Sequence, residues 1–144
     1  MTYPEFTLRL LAGLGAGLVI GLEREWANKP AGLRTNTLVA TGATLFVLLS
    51  INIAESYGQT TDLTRIIGQV VTGIGFLGAG IIFKQGTNIH GLTTAATVWC
   101  SSAVGCFAGM GYYIETLIGV TAIISINLLL IPLDKWLAGR GKKK

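Results

Sequence analysis

The sequence predicts an all-α, polytopic membrane protein with five transmembrane helices. Three observations carry that expectation. Of 144 residues, 51% are hydrophobic and 12% charged, about half the charged fraction of a soluble domain. Mean hydropathy is +0.61. The apolar residues are gathered into five continuous runs of membrane-spanning length rather than alternating, which favours helices over a β-barrel. In lipid every backbone polar group must be satisfied within its own segment, and a helix does this.

The first span covers residues 6–22, with Arg9 near its outer end. Residues 1–6 lack a basic region and carry Glu5, so no cleaved signal is expected and this run stays. The second covers residues 37–54 and the third residues 66–83. The fourth, residues 95–113, is small and polar for a membrane helix, with Cys100, Ser101 and Ser102. Cys100 and Cys106 match no zinc or redox spacing and read as small apolar residues. The fifth, residues 116–133, is the most apolar; Ser125 and Asn127 interrupt it, and Pro132 and Asp134 are expected to end it. Residues 1–135 read as one transmembrane domain and residues 136–144 as a short basic tail.

Basic residues set the orientation. Arg24, Lys29 and Arg34 follow the first span, Lys84 and His90 the third, and five of the eleven basic residues lie after Leu133. In a five-helix chain these share one side. The other side has Arg9 and Arg65 beside Glu5, Glu55, Asp62 and Glu115. The expectation is an outside N-terminus and a cytoplasmic C-terminus, with the tail on anionic headgroups. Leu14-Gly-Ala-Gly-Leu-Val-Ile-Gly21 resembles Leu77-Gly-Ala-Gly-Ile-Ile-Phe-Lys84, and Gly32-Leu-Arg-Thr35 resembles Gly91-Leu-Thr-Thr94. The offsets are 63 and 59 residues. The first four helices therefore read as a parallel tandem repeat of two helix-loop-helix units.

Gly73 to Gly78 spell G-x-G-x-x-G, a dinucleotide-binding pattern. The pattern needs a preceding strand and an acidic residue about 20 positions on. Here it lies in an apolar run, and no acidic residue occurs between Asp62 and Glu115. Glycines in a membrane helix let a second helix approach closely. Gly13, Gly17 and Gly21 recur every four residues in the first helix; Thr97, Ser101, Gly105 and Gly109 do so in the fourth. The third, with Gly68, Gly73, Gly75, Gly78, Ala79 and Gly80, carries small residues on more than one face and is expected to be central.

Ionisable residues near membrane helices are functional candidates. The cluster consists of Glu23, Arg24, Arg34, Lys84 and Asn88, with Glu23 pairing to Arg34 or Lys84 as a latch between two facing loops. Arg34-Thr35-Asn36 and Thr93-Thr94 are expected to open helices two and four, where Thr or Asn caps free N–H groups and an uncapped terminus favours anions. No Asp or Glu lies inside any of the five spans, so a magnesium path is poorly supported. The lone His90 has no acid or nucleophile in its pattern, and Ser101 and Ser102 read as helix–helix hydrogen-bonding groups. No metal, cofactor or catalytic residue is expected.

Four blocks then carry a family resemblance: Gly17-Leu-Val-Ile-Gly-Leu-Glu-Arg-Glu25, Lys29-Pro-Ala-Gly-Leu-Arg-Thr-Asn-Thr-Leu-Val39, Gly73-Ile-Gly-Phe-Leu-Gly-Ala-Gly-Ile-Ile82 and Asn88-Ile-His-Gly-Leu-Thr-Thr-Ala-Ala-Thr97. Across residues 11–112 the chain resembles the MgtC/SapB family of bacterial membrane proteins. The resemblance places Glu23, Arg24, Arg34 and Asn88 at the family's characteristic polar positions, Asn88 matching a loop asparagine associated with function. It implies a cytoplasmic-membrane protein, in some members tied to growth at low magnesium and to virulence. It implies action on partners, notably the membrane ATP synthase and hence membrane potential, rather than magnesium transport. Virulence-type members continue into a soluble C-terminal domain, whereas this sequence stops ten residues past Asp134. It is expected to be a short member or an isolated membrane domain. The expected function is non-enzymatic regulation of a partner membrane complex; the alternative is a homo-oligomeric ion or small-solute transporter. Expected partners are membrane lipid including anionic headgroups, another membrane protein or a second copy, and no nucleic acid.

Overall fold

The computed structural model describes residues 1–57 and 62–141, without the side chains of residues 134, 135 and 138–141. The basic residues of the expected tail, the side chains of Lys135 and Arg140 and the whole of Lys142, Lys143 and Lys144, lie outside the described residues.

Five helices form: α1 (Tyr3–Trp26), α2 (Leu33–Tyr57), α3 (Leu63–Ile81), α4 (Leu92–Met110) and α5 (Tyr113–Gly141). All five are long and apolar enough to cross a membrane. Their ends show why they start and stop where they do. Thr2, three residues before Glu5, accepts from the Glu5 N–H at 3.4 Å, and Pro4 occupies the first turn of α1. Asp62 caps α3 by accepting from the Thr64 N–H at 3.0 Å. At the end of α4, Gly111 takes φ +81, with Gly111 N–H on Ala108 O and Tyr112 N–H on Phe107 O, both 3.0 Å. This is a Schellman closure, and the Phe107 and Tyr112 rings meet across it at 6.5 Å.

Three expectations change. The fifth helix does not end at Pro132 but continues through it to Gly141. Proline removes one N–H and kinks a helix, yet continuing the helix keeps the remaining backbone groups paired, which lipid demands. The polar stretch after α3 is not a plain loop. Phe83–Gln85 (β1) and Asn88–His90 (β2) pair antiparallel with Gln85 opposite Asn88, and Gly86 at φ +61 opens the two-residue turn. The Phe83 and His90 rings stack at 5.3 Å.

The third correction concerns the centre of the bundle. α4, not α3, is central: it packs against all four other helices, and 61% of its span is buried against 11% of α3's. Three apolar clusters show the arrangement. Ala16, Ile20, Val104 and Val120 join α1, α4 and α5. Val39, Ile74 and Val98 join α2, α3 and α4. Ala43, Val47 and Cys106 join α2 to α4, with Ile67 of α3 against them. α3 is peripheral: of its residues only Ile74 is buried, while Val71, Phe76 and Leu77 face outward. The outer surface is apolar almost throughout, with Leu8, Leu38, Phe46, Leu117 and Leu129 exposed, as a lipid-facing surface requires.

The connections within the two helix-loop-helix segments differ. The α1–α2 connection is a tight turn with Asn28 and Ala31 at φ 53, while the α3–α4 connection is the hairpin.

Candidate functional site

The last turn of α1 carries Glu23, Arg24 and Glu25, each rotated about 100° from the next. They consequently do three different things. Glu23 faces α5 and is 8% exposed; its Oε2 accepts from Asn127 Nδ2 at 2.9 Å. Asn127 Oδ1 in turn lies 3.4 Å from Thr97 Oγ1, whose shorter bond is to the Thr93 carbonyl at 2.9 Å. This links α1, α5 and α4. Glu25 reaches across the turn and accepts from the Leu33 N–H at 3.1 Å, satisfying the first N–H of α2. Arg24 is 2% exposed; its Nη1 stands 3.9 Å from Glu23 Oε2, and its Nε has no hydrogen-bond partner.

The expected latch does not form. Glu23 engages Asn127 rather than Arg34 or Lys84, and both cations are exposed. Arg34 is two residues from the buried Asn36, about 200° around α2, so it points away from the bundle. Lys84 and Asn88 sit on the exposed hairpin. The capping expectation also changes. α4 starts after Gly91, at φ +88, with no side-chain cap, and neither Thr93 nor Thr94 serves as one. Asn36 works deeper: its Nδ2 donates to the Ala31 and Gly32 carbonyls, and its Oδ1 accepts from Ser101 Oγ at 2.7 Å. Ser102 bonds only its own helix, at the Trp99 carbonyl.

The glycine stripes of α1 and α4 both receive α2. A Cβ at Gly17 would lie 2.7 Å from Thr37 Cα, one at Gly21 2.7 Å from Leu33 Cα, and one at Gly13 3.0 Å from Thr44 Cβ. From the other side, a Cβ at Gly105 would lie 2.9 Å from Ala40 Cα and one at Gly109 2.8 Å from Val47 Cβ. Thr44 Oγ1 sits in the seam, 2.9 Å from the Ala40 carbonyl and 2.8 Å from the Gly105 carbonyl. On α3 the picture reverses. Gly75 has no packing atom within 4 Å, nor do Gly68, Gly73 or Gly80, and Gly78 meets only Ala95 Cβ at 3.8 Å.

Sequence reasoning passed over two groups. Asn127 read as an interruption of an apolar run; an amide in the greasiest helix was itself the available signal. Arg9 read as a helix-end charge. It pairs with Glu5 and donates from Nη1 to the Gly109 carbonyl at 3.1 Å, closing the C-terminal end of α4. The N-terminal amine pairs with Glu55 at the same end. Among the described residues no three His, Cys, Asp or Glu side chains gather as a metal site would need.

At the opposite end, the end of α1, the first loop, the hairpin, the start of α4 and α5 line an open cavity of about 600 Å³. Its lining includes Arg24, Lys29, His90, Thr93, Thr94 and Asn127. The two loops do face one cavity, although no ion pair joins them across it among the described residues.

Residues 10–136 match the MgtC family. The chain is 47% identical over 126 residues to Protein MgtC of Salmonella typhimurium (87% of this chain, 52% of that one). It is 51% identical over 117 residues to Protein MgtC of Brucella abortus (81% and 48%). It is 44% identical over 137 residues to an uncharacterized protein of Synechocystis sp. (95% and 57%). The chain spans about half the length of the curated relatives it matches. No solved structure matches it significantly.

Proposed function

The chain belongs to the MgtC family of membrane proteins, and on that premise we propose that it is a non-enzymatic regulator. It acts by seating a helix of a larger membrane complex on α3. The observation that carries this reading is the contrast between glycine faces. Those of α1 and α4 are filled by α2, whereas Gly68, Gly73, Gly75 and Gly80 have no packing atom within 4 Å. Bare glycine backbone in a lipid-facing helix forgoes dispersion contacts that a close-packed partner helix restores. Exposed Phe76 on the same helix adds apolar surface.

The protein resides in the bacterial cytoplasmic membrane with its N-terminus outside. Supporting this, Arg24, Lys29, Arg34 and Lys84 lie at the loop end against Arg9 and Arg65 at the other, the asymmetry that sets orientation. The ATP synthase implied by the family resemblance is the first complex to test.

The experiment is capture of that complex from native membranes by the tagged protein. The unaltered chain should retain it and Gly75→Leu should lose it, with the fold intact by thermal unfolding in detergent. A second copy captured in its place would identify α3 as a self-association face. Cation or proton flux into liposomes above empty vesicles, abolished by Asn88→Ala, would establish the transporter reading instead.

A further inference from the structure

The cavity at the loop end has three features that the regulatory reading does not use. First, α4, a 19-residue helix, directs its uncapped N-terminus there, with Thr93 and Thr94 in the wall. The first N–H groups of a helix have no intrahelical partner and carry partial positive charge. The cap position cannot bring its own oxygen, because it must be glycine. Gly91 sits at φ +88, and a Cβ there would lie 3.0 Å from the Ile81 carbonyl carbon.

Second, Arg24 lines the cavity although it is 2% exposed, and its Nε lacks a partner. A buried guanidinium without a close hydrogen-bond partner costs free energy, which an acceptor reaching the guanidinium from the cavity would reduce. The nearest carboxylate does not fill that role. Glu23 Oε2 is 3.9 Å from Arg24 Nη1 and takes its short bond from Asn127.

Third, Lys29 and His90 are in the lining and no Asp or Glu is, among the described residues. Lys29 and the terminus of α4 therefore bring positive charge to the lining itself.

We infer that this cavity binds a phosphate group. Its oxygens accept from the Arg24 guanidinium and from the first-turn N–H groups of α4, with Lys29 adding a charge-assisted contact. Phosphate fits the donor set because it offers several acceptor oxygens to converging donors. Inorganic phosphate and an anionic lipid headgroup share this chemistry. Phe83, Ile89 and Ile131 also line the cavity, giving an acyl chain an apolar wall to leave by.

The test uses the full chain purified in dodecyl maltoside. One arm titrates inorganic phosphate calorimetrically against chloride at equal ionic strength. The other measures retention of phosphatidylglycerol against phosphatidylcholine by native mass spectrometry. One-to-one binding is expected in at least one arm. Saturation by phosphate identifies a soluble ligand; retention of phosphatidylglycerol alone identifies a lipid.

Lys29→Gln, at an exposed side chain that leaves unfolding unchanged, should weaken binding about tenfold. Lys84→Gln, a cation of the hairpin outside the cavity lining, should leave it unchanged. The inference is overturned if neither ligand binds one-to-one. It is overturned equally if Lys84→Gln weakens binding as much as Lys29→Gln, since generic surface charge then accounts for it.

Discussion

Asn127 decides how Glu23 is held in an apolar bundle. A lone carboxylate between helices is costly unless donors meet it, and Asn127 Nδ2 meets it at 2.9 Å. Asn127→Leu therefore leaves an acid with its donor removed. The expected loss is about 1–3 kcal/mol, read as a lower unfolding midpoint in detergent. Adding Glu23→Gln to that variant should restore part of the loss, because the acceptor then no longer carries charge. Ser101→Ala is a milder case. It removes one interhelical hydrogen bond to Asn36, and such bonds average about 0.6 kcal/mol in membranes. Both residues are visible in the sequence as polar positions in apolar runs. Their partners are not, because Asn127 and Glu23 are 104 positions apart, and no local pattern encodes that distance.

At the scale of elements, α2 is held between two glycine stripes. Gly17→Leu and Gly105→Leu place side chains where α2 backbone lies within 3 Å, so each should abolish folded protein in detergent, as size-exclusion profiles will show. Gly75→Leu places its side chain in open space and should leave the monomer's stability unchanged. Identical residue types at similar spacing thus have opposite consequences. The four-residue period marks a surface that permits close approach; which helix approaches depends on where the other helices already are.

The start of α3 carries a pH dependence. The hydrogen bonds from the Thr64 side chain and backbone, the former the larger effect, hold Asp62 below its ordinary 3.8. The folded value is the lower one, so the stabilisation is fully present above the unfolded value. It is lost as pH falls through the folded value. First-turn amides of α3 should exchange faster as that range is entered. Asp62→Asn, which keeps a capping side chain, should remove the pH dependence but not the cap.

For the whole molecule, exposed apolar helices and the family match make this a multi-pass membrane protein. Sidedness is tested by reporters. A fusion after Lys144 should be active in the cytoplasm and one at residue 1 outside; the reverse pattern would overturn the proposed orientation.

The five spans, the all-α class and the family follow from the sequence alone. Lipid forces backbone satisfaction within each segment, so length and hydropathy suffice to specify a helix. The cap at Thr2 is likewise local. The burial order of the helices is not. α3 looked central from its glycines and is peripheral, while α4 takes the centre because its small and polar side chains fit between neighbours on every side. Glu23 was legible as a candidate but not as a partner of Asn127, and Arg24 was legible as a charge but not as a buried cation. Helix identity is set by residues a few positions apart. The choice of neighbour is set by shape and polar complementarity between segments far apart in the chain, which exist only once the bundle has formed.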